Sequence, residues 1–239
     1  MTHVPTQGGL VNPAEEVGAV ARAAGVPFLL DACQSVGQLP VDVQRIGCDM
    51  LSVTGRKFLR APRGTGFLYV RRELLDDLEP PFLDLHAATW TGPGTYEIRG
   101  DARRFENWET NYAGKIGLGT AVEYALSWGL EAIEARVTAL AESLRERLRA
   151  IDGVTVHDQG LRRCGIVTFT VDGVPAPEVQ SRLAAKGVNT SVSLAEYARF
   201  DLPHRGLPDL VRASVHYYNT DAELDRLIGA LPAPRPQRL

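Results

Sequence analysis

Cysteine is scarce in this sequence. The 239 residues hold three, Cys33, Cys48 and Cys164, an odd count with no Cys-x-x-Cys spacing. That excludes a disulfide framework and a thiolate zinc site. The five histidines are scattered, with no His-x-x-x-His or His-Glu-x-x-His pair, so no metal site is expected. No apolar run approaches the roughly 20 residues of a bilayer span. The start, Met1-Thr2-His3-Val4-Pro5, lacks the basic and apolar regions of a signal peptide. A cytoplasmic location with no membrane partner is the expectation. A dominant charge is missing too: the net charge is −3, Arg and Lys are spread along the chain, and no basic tail points to nucleic acid. Neither Gly-x-Gly-x-x-Gly after a strand nor a P-loop motif occurs, which leaves an unrelated nucleotide-binding protein with little support.

What is present suits a globular fold. About 44% of residues are apolar and 23% charged, over a length fit for one large domain or two modest ones. Residues 13–24 suit a helix with Asn12 as N-cap, Pro13 at the first helical position and Gly25 at the end. Val26 to Leu30 is a short apolar run closing at Asp31, the pattern of a buried parallel strand. A short helix near 43–46, a strand at 50–53 and a third at 66–70 follow, which indicates an α/β sheet. Residues 80–111, rich in Pro, Gly and aromatics, read as mostly irregular and functional or interfacial.

Two helices are expected at 113–128 and 130–151, divided at Gly129. The second buries Ile133, Val137, Leu140, Leu144 and Leu148 on one face. The remainder reads as a separate α+β layer: strand 164–171, helix 176–186, strand 188–193, strand 210–215, helix 220–231. Thr220 and Glu223 make a capping box for the last helix. The tail, Pro232–Leu239, is expected to fray.

Three features suggest one site. Asp31 closes a parallel strand, so its carboxylate faces the crevice where α/β sheets bind ligands. Read alone, it is equally a turn or capping residue. Ser52-Val53-Thr54-Gly55-Arg56-Lys57 ends a strand in a hydroxyl, a Gly, an Arg and a Lys. Hydroxyl, backbone N–H and guanidinium suit a phosphate, and the lysine is a candidate Schiff-base former; by itself the segment also fits a basic surface loop. Ala61-Pro62-Arg63-Gly64-Thr65-Gly66 supplies a tight turn before the third strand.

Asp31-x-x-Gln34, then Thr54-Gly55-Arg56-Lys57, then Pro62-x-Gly64-x-Gly66 together resemble the signature of the class V aminotransferase and cysteine desulfurase family, which are fold type I pyridoxal-phosphate enzymes. Positions 27–71 carry the likeness closely. It implies pyridoxal 5'-phosphate as cofactor and Lys57 as its Schiff-base lysine. It implies Asp31 against the pyridine nitrogen, Gln34 at the ring hydroxyl and Thr54 at the phosphate. Arg56 stands where the family usually has a His and is expected at the phosphate as well. His3-Val4-Pro5-Thr6 through Val11-Asn12-Pro13 matches the segment before the Asp strand, and Thr6 falls where many members have an Asn near the ring hydroxyl. Arg212-Ala213-Ser214 through Tyr218-Asn219-Thr220 resembles the family's ending, whose Arg binds the substrate carboxylate; this role is carried to Arg212. The implied fold is part of a mostly parallel cofactor-binding sheet with flanking helices, 1–128, plus a small C-terminal α+β domain, 129–239.

The sequence departs from the family in three places. Phe105-Glu106-Asn107-Trp108-Glu109-Thr110-Asn111 has Trp-Glu where the family has Gly-Thr at the partner subunit's phosphate, so Glu109 is expected to face elsewhere or meet an Arg. Residues 188–208 contain no Cys, which disfavours the usual desulfurase chemistry and brings the chain closer to isopenicillin epimerase-like and C–S lyase-like members; Cys164 is expected in the core. The family's phosphate-clamping helix and its ring-stacking aromatic belong to a segment ahead of the one matched here. A homodimer or a complementing N-terminal chain is therefore expected. The implied function is a pyridoxal-phosphate enzyme acting on a small amino acid by transamination, epimerisation or elimination. The alternative is a truncated or degenerate non-catalytic relative that needs a partner chain.

Overall fold

The computed structural model describes residues 1–235. Helix α1 (Ala14–Ala23) has Glu15 and Glu16 in its first turn and Arg22 in its last, each favourable to the helix dipole. Its N-cap is Pro13, not Asn12, because the Asn12 amide donates to the Thr2 carbonyl at 2.8 Å. Strand β1 (Leu29–Asp31) follows. The short helix α2 (Val43–Ile46) is capped by the Asp42 carboxylate and ended by Gly47 at φ 70°. Gly18 of α1 packs on the Ile46 carbonyl of α2, an approach that leaves no room for a Cβ.

Strands β2 (Met50–Thr54) and β3 (Gly66–Val70) complete the first sheet, in the order β1-β2-β3. β1 and β2 are parallel, with Asp31 opposite Ser52. β3 is antiparallel to β2, with Thr54 opposite Gly66. The expected mostly parallel sheet is thus mixed in this chain. The reason is the connection: residues 55–65 form a tight loop without a helix, too short for a parallel crossover. One set of ends, 31, 54 and 66, lies together at a single rim.

Residues 80–111 are more regular than expected. They contain a hairpin of β4 (Ala88–Gly92) and β5 (Thr95–Ile98), turning at Pro93-Gly94 with Gly94 at φ 74°. β-Branched and aromatic residues on both sides of a Pro-Gly turn favour this pairing, with Trp90 opposite Tyr96. Arg104, buried in the following 3₁₀ turn, donates to the carbonyls of Leu75, Leu78 and Arg99 and anchors the segment.

Helix α3 (Tyr112–Trp128) is capped by Asn111, and α4 (Leu130–Arg149) follows after Gly129. α4 is shared between two cores. Ile133 and Val137 pack with Phe28, Leu30, Leu51 and Val53 under the first sheet. Leu140, Leu144 and Leu148 pack with Val167, Phe169, Leu183 and Val211 under the second. That second sheet is antiparallel, in the order β6-β7-β9-β8: β6 (Val154–Val156), β7 (Ile166–Val171), β8 (Ser191–Ser193) and β9 (Leu210–Ser214). β6 was not anticipated; it is only three residues long. α5 (Ala176–Ala185) and α6 (Asp221–Ala230) cover the sheet, and α6 opens with the Thr220–Glu223 capping box.

Pro232–Arg235 does not fray. The Arg235 N–H donates to the Asp172 carbonyl at 2.8 Å, and its guanidinium pairs with Glu178; positions 236–239 lie outside the described residues. Among the described residues no helix is long and apolar enough to cross a membrane.

Two buried groups tie the layers together. The Gln38 side chain donates to the Gln34 carbonyl at 2.6 Å and accepts from the Gly165 N–H at 2.9 Å. The Arg145 guanidinium, wholly buried, donates to the carbonyls of Cys164 and Ile166 and to Asp158.

Candidate active site

The rim of the first sheet positions most of the expected residues. Asp31 is the last residue of β1, and its Oδ1 accepts the Cys33 N–H at 3.0 Å, a local Asx turn that fixes the carboxylate. Thr54 is the last residue of β2. Lys57 lies three residues on, in a loop closed by its own backbone: Gly55 donates to Thr65 at 2.8 Å, Ala61 to Gly55 at 2.9 Å and Arg60 to Lys57 at 2.9 Å. Gly55 faces Thr65, Ala61 and Leu118 too closely for any side chain, so the closure requires glycine there.

A cavity of about 450 Å³ opens beside this loop. It is lined by Thr6, Gln34, Arg56, Lys57 and Arg212, together with Phe58, Ser214, His216 and Tyr218. Five of the expected residues therefore share one cavity. Asp31 and Thr54 stand at the strand ends next to it and are not among its lining. Within the cavity the Gln34 amide donates to the Thr6 hydroxyl at 2.9 Å. Arg212, on β9 of the other sheet, donates through Nη1 to the Thr6 carbonyl at 2.8 Å and through Nε to the Ser191 hydroxyl at 3.0 Å. Thr6 thus joins residues from both sheets.

The electrostatics follow from this crowding. Burial holds the Lys57 ammonium below the ordinary lysine value; Cys33 and Asp31 oppose that, and the cations Arg56 and Arg212 reinforce it. Burial likewise lowers Arg212. The Cys33 thiol is pushed up by burial and by its contact with Asp31. Cys164, fully buried as expected, is raised to about 11. Glu109 is exposed and is not among the residues lining the cavity.

Sequence reasoning gave no role to Phe58, His216 or Ser191, and quoted Ser214 and Tyr218 only as part of the family-like ending. The consecutive aromatics His216-Tyr217-Tyr218 after a strand were the signal available.

Comparison with known proteins supplies the family. The family model described as Aminotransferase class-V matches residues 1–227. The chain belongs to the class-V aminotransferase family. Pyridoxal 5'-phosphate is the cofactor of that family. A probable cysteine desulfurase of Xylella fastidiosa (strain 9a5c) is 34% identical over 239 residues, covering 97% of this chain and 55% of that protein. One from Methanothermobacter thermautotrophicus is 31% identical over 230 residues, covering 95% and 58%. Among solved structures, an apo cysteine desulfurase from Thermococcus onnurineus NA1 superposes with a TM-score of 0.90 at 29% identity, covering 95% of this chain and 57% of that one. The cystine C-S lyase C-DES, in complex with its reaction product cysteine persulfide, superposes at 0.85 with 26% identity, covering 98% and 60%. The chain spans little more than half the length of the relatives it matches.

Proposed function

We propose that this class-V family chain forms the lysine-bearing part of a pyridoxal-phosphate enzyme that acts on a small amino acid by transamination, epimerisation or elimination. The observation that carries the reading is the shared cavity of Lys57, Arg56, Gln34, Thr6 and Arg212 at the rim that also holds Asp31. The donor set fits the cofactor. A lysine held below its ordinary pKa supplies more neutral amine to attack an aldehyde carbon. Arg56 and the Thr54 hydroxyl suit a phosphate, and Asp31 suits a protonated ring nitrogen. When bound, the cofactor supplies an electron sink for negative charge at a substrate α-carbon.

The chain's own residues do the rest. Arg212, braced by Ser191 and Thr6, keeps part of its guanidinium free to pair with a substrate carboxylate. The Lys57 amine takes up and returns the α-proton as a general base. The Gln34 amide, whose partner here is the Thr6 hydroxyl at 2.9 Å, is a donor suited to the cofactor's ring hydroxyl. The absence of cysteine from 188–208 favours lyase, epimerase or transaminase chemistry over the usual persulfide route.

The test is direct. The chain is mixed with pyridoxal 5'-phosphate and reduced with borohydride, and its peptides are weighed. Cofactor mass on the Lys57 peptide supports the reading; mass elsewhere, or none, rejects it.

A second reading, a chain that completes its site only with a further polypeptide segment, is favoured by one observation. The edge strand β3 and helix α3 leave Phe67, Leu68 and Leu126 exposed along an apolar groove, with Ile116 and Trp128 also exposed on α3. A stable lone chain that turns over an amino acid would exclude this reading.

A further inference from the structure

We propose that His216 is a positioning residue for Lys57, acting through the carbonyl of the neighbouring residue Phe58. The inference rests on the assignment of Lys57 above and extends it to a side chain that no motif marked.

The peptide that follows Lys57 is held on two sides. On one side His216 Nε2 lies 3.0 Å from the Phe58 carbonyl oxygen. A carbonyl only accepts, so the proton sits on Nε2. The imidazole itself is fixed between rings, stacked on Phe58 at 5.5 Å and on Tyr218 at 4.4 Å, with Tyr217 tilted against it at 4.4 Å. Its backbone N–H is capped by the Asn219 side chain at 2.8 Å. On the other side lies Gly37, at φ 94°. A Cβ there would stand 2.5 Å from Leu59 N and 2.9 Å from the Phe58 oxygen. The Phe58–Leu59 peptide therefore has no slack in either direction.

A third brace lies one residue on. Arg60 is the only non-glycine with positive φ among the described residues, at 58°. Its N–H returns to the Lys57 carbonyl at 2.9 Å, and its guanidinium rests over the rings of Tyr124, Tyr217 and Tyr218 at 5.1–5.2 Å. A left-handed residue in an exposed loop is strained unless its surroundings fix it, and here three tyrosines do so. Residues 216–218, C-terminal to β9, thus hold the loop that presents an amine from the first sheet. His216 shares the cavity with that amine, yet its Nδ1 is buried without a partner. Its one side-chain hydrogen bond is spent on the lysine loop.

The experiment labels amines in the cofactor-free chain. The sequence has three lysines, Lys57, Lys115 and Lys186, so trace acetylation across pH, read by peptide mass, follows Lys57 against two internal standards. Burial is the first influence on the Lys57 midpoint, and the charged and titratable groups that act on it are Cys33 just after β1, Asp31 at the end of β1, Arg56 on its own loop, and Arg212 on β9. His216→Phe keeps the stack and removes the N–H. His216→Gln keeps an N–H at the same bond distance from the backbone, and His216→Asn is one bond too short. We expect Lys57 labelling near neutral pH to fall by about threefold or more in the Phe and Asn variants, half a unit of midpoint being about threefold. The Gln variant should return to the wild-type profile, and Lys115 and Lys186 should not move. The Asn and Gln pair decides the matter even if the Phe variant does not fold. A Lys57 profile unchanged in the Asn variant, or one that Gln fails to restore, overturns the proposal. Failure to take up pyridoxal phosphate would reject the assigned function and leave this measurement standing.

Discussion

Arg145 and Asp158 form an ion pair at 2.7 Å with both side chains completely buried. Asp158 also accepts from the N–H and hydroxyl of Thr168, and Arg145 from α4 reaches the carbonyls of Cys164 and of Ile166, the first residue of β7. Breaking such a pair leaves an uncompensated charge in the core. Arg145→Met should cost about 3–5 kcal/mol in urea unfolding. The double variant with Asp158→Leu should lose less than the single one. Equal losses would show that the pair's hydrogen bonds, not its charge balance, matter.

Stability should fall on mild acidification. Burial depresses the His216 imidazole from 6.5 to about 4, and burial also lowers His3 and His157. Between pH 6.5 and 4 the unfolded ring binds a proton that the folded ring refuses, so unfolding gains as pH drops through that window. The contribution of His216 alone is about 3 kcal/mol, and it is fully present above pH 6.5. His216→Gln should flatten the slope of unfolding free energy against pH. A slope identical to that of the wild type would reject the assignment.

Arg212→Lys should spare the fold and weaken substrate capture. Lysine keeps the charge and loses the planar fork that spans a carboxylate. The change should raise KM about 10–100-fold, the worth of a charged hydrogen bond of about 1.5–3 kcal/mol. An unchanged KM for every amino acid turned over would remove Arg212 from the substrate site.

Gly37→Ala should damage cofactor capture more than folding. The new methyl meets the Phe58–Leu59 peptide at a positive φ, and the strain falls on the lysine loop. A stability loss of about 1–3 kcal/mol is expected, with borohydride-fixed cofactor at Lys57 reduced severalfold. Full capture in a variant of lowered stability would place the strain elsewhere.

Much of this architecture was legible in the residues. Helix α2, strand β2 and the α6 capping box sit where side-chain periodicity and capping chemistry put them, because those signals are local. Thr6, Gln34, Arg56, Lys57 and Arg212, which the family resemblance assigned to one site, line one cavity. Other features depend on partners distant in sequence. Asn12 spends its amide on Thr2 and leaves the cap to Pro13. The β4–β5 hairpin was obscured by prolines and glycines around two short aromatic strands. The direction of β3 is set by the length of the loop before it, which a run of five apolar-leaning residues does not reveal. The aromatic run at 216–218 gave no role to His216, because its partner Phe58 lies far away along the chain.

Because α4 inserts its first turns under one sheet and its last turns under the other, the junction between Gly129 and Leu130 is a poor place to cut the molecule. A fragment starting at Leu130 would carry Ile133 and Val137 into water, and one ending at Gly129 would leave Phe28 and Leu51 bare. Anyone dissecting this protein should expect aggregation from either piece, and a tightly coupled melt from the whole.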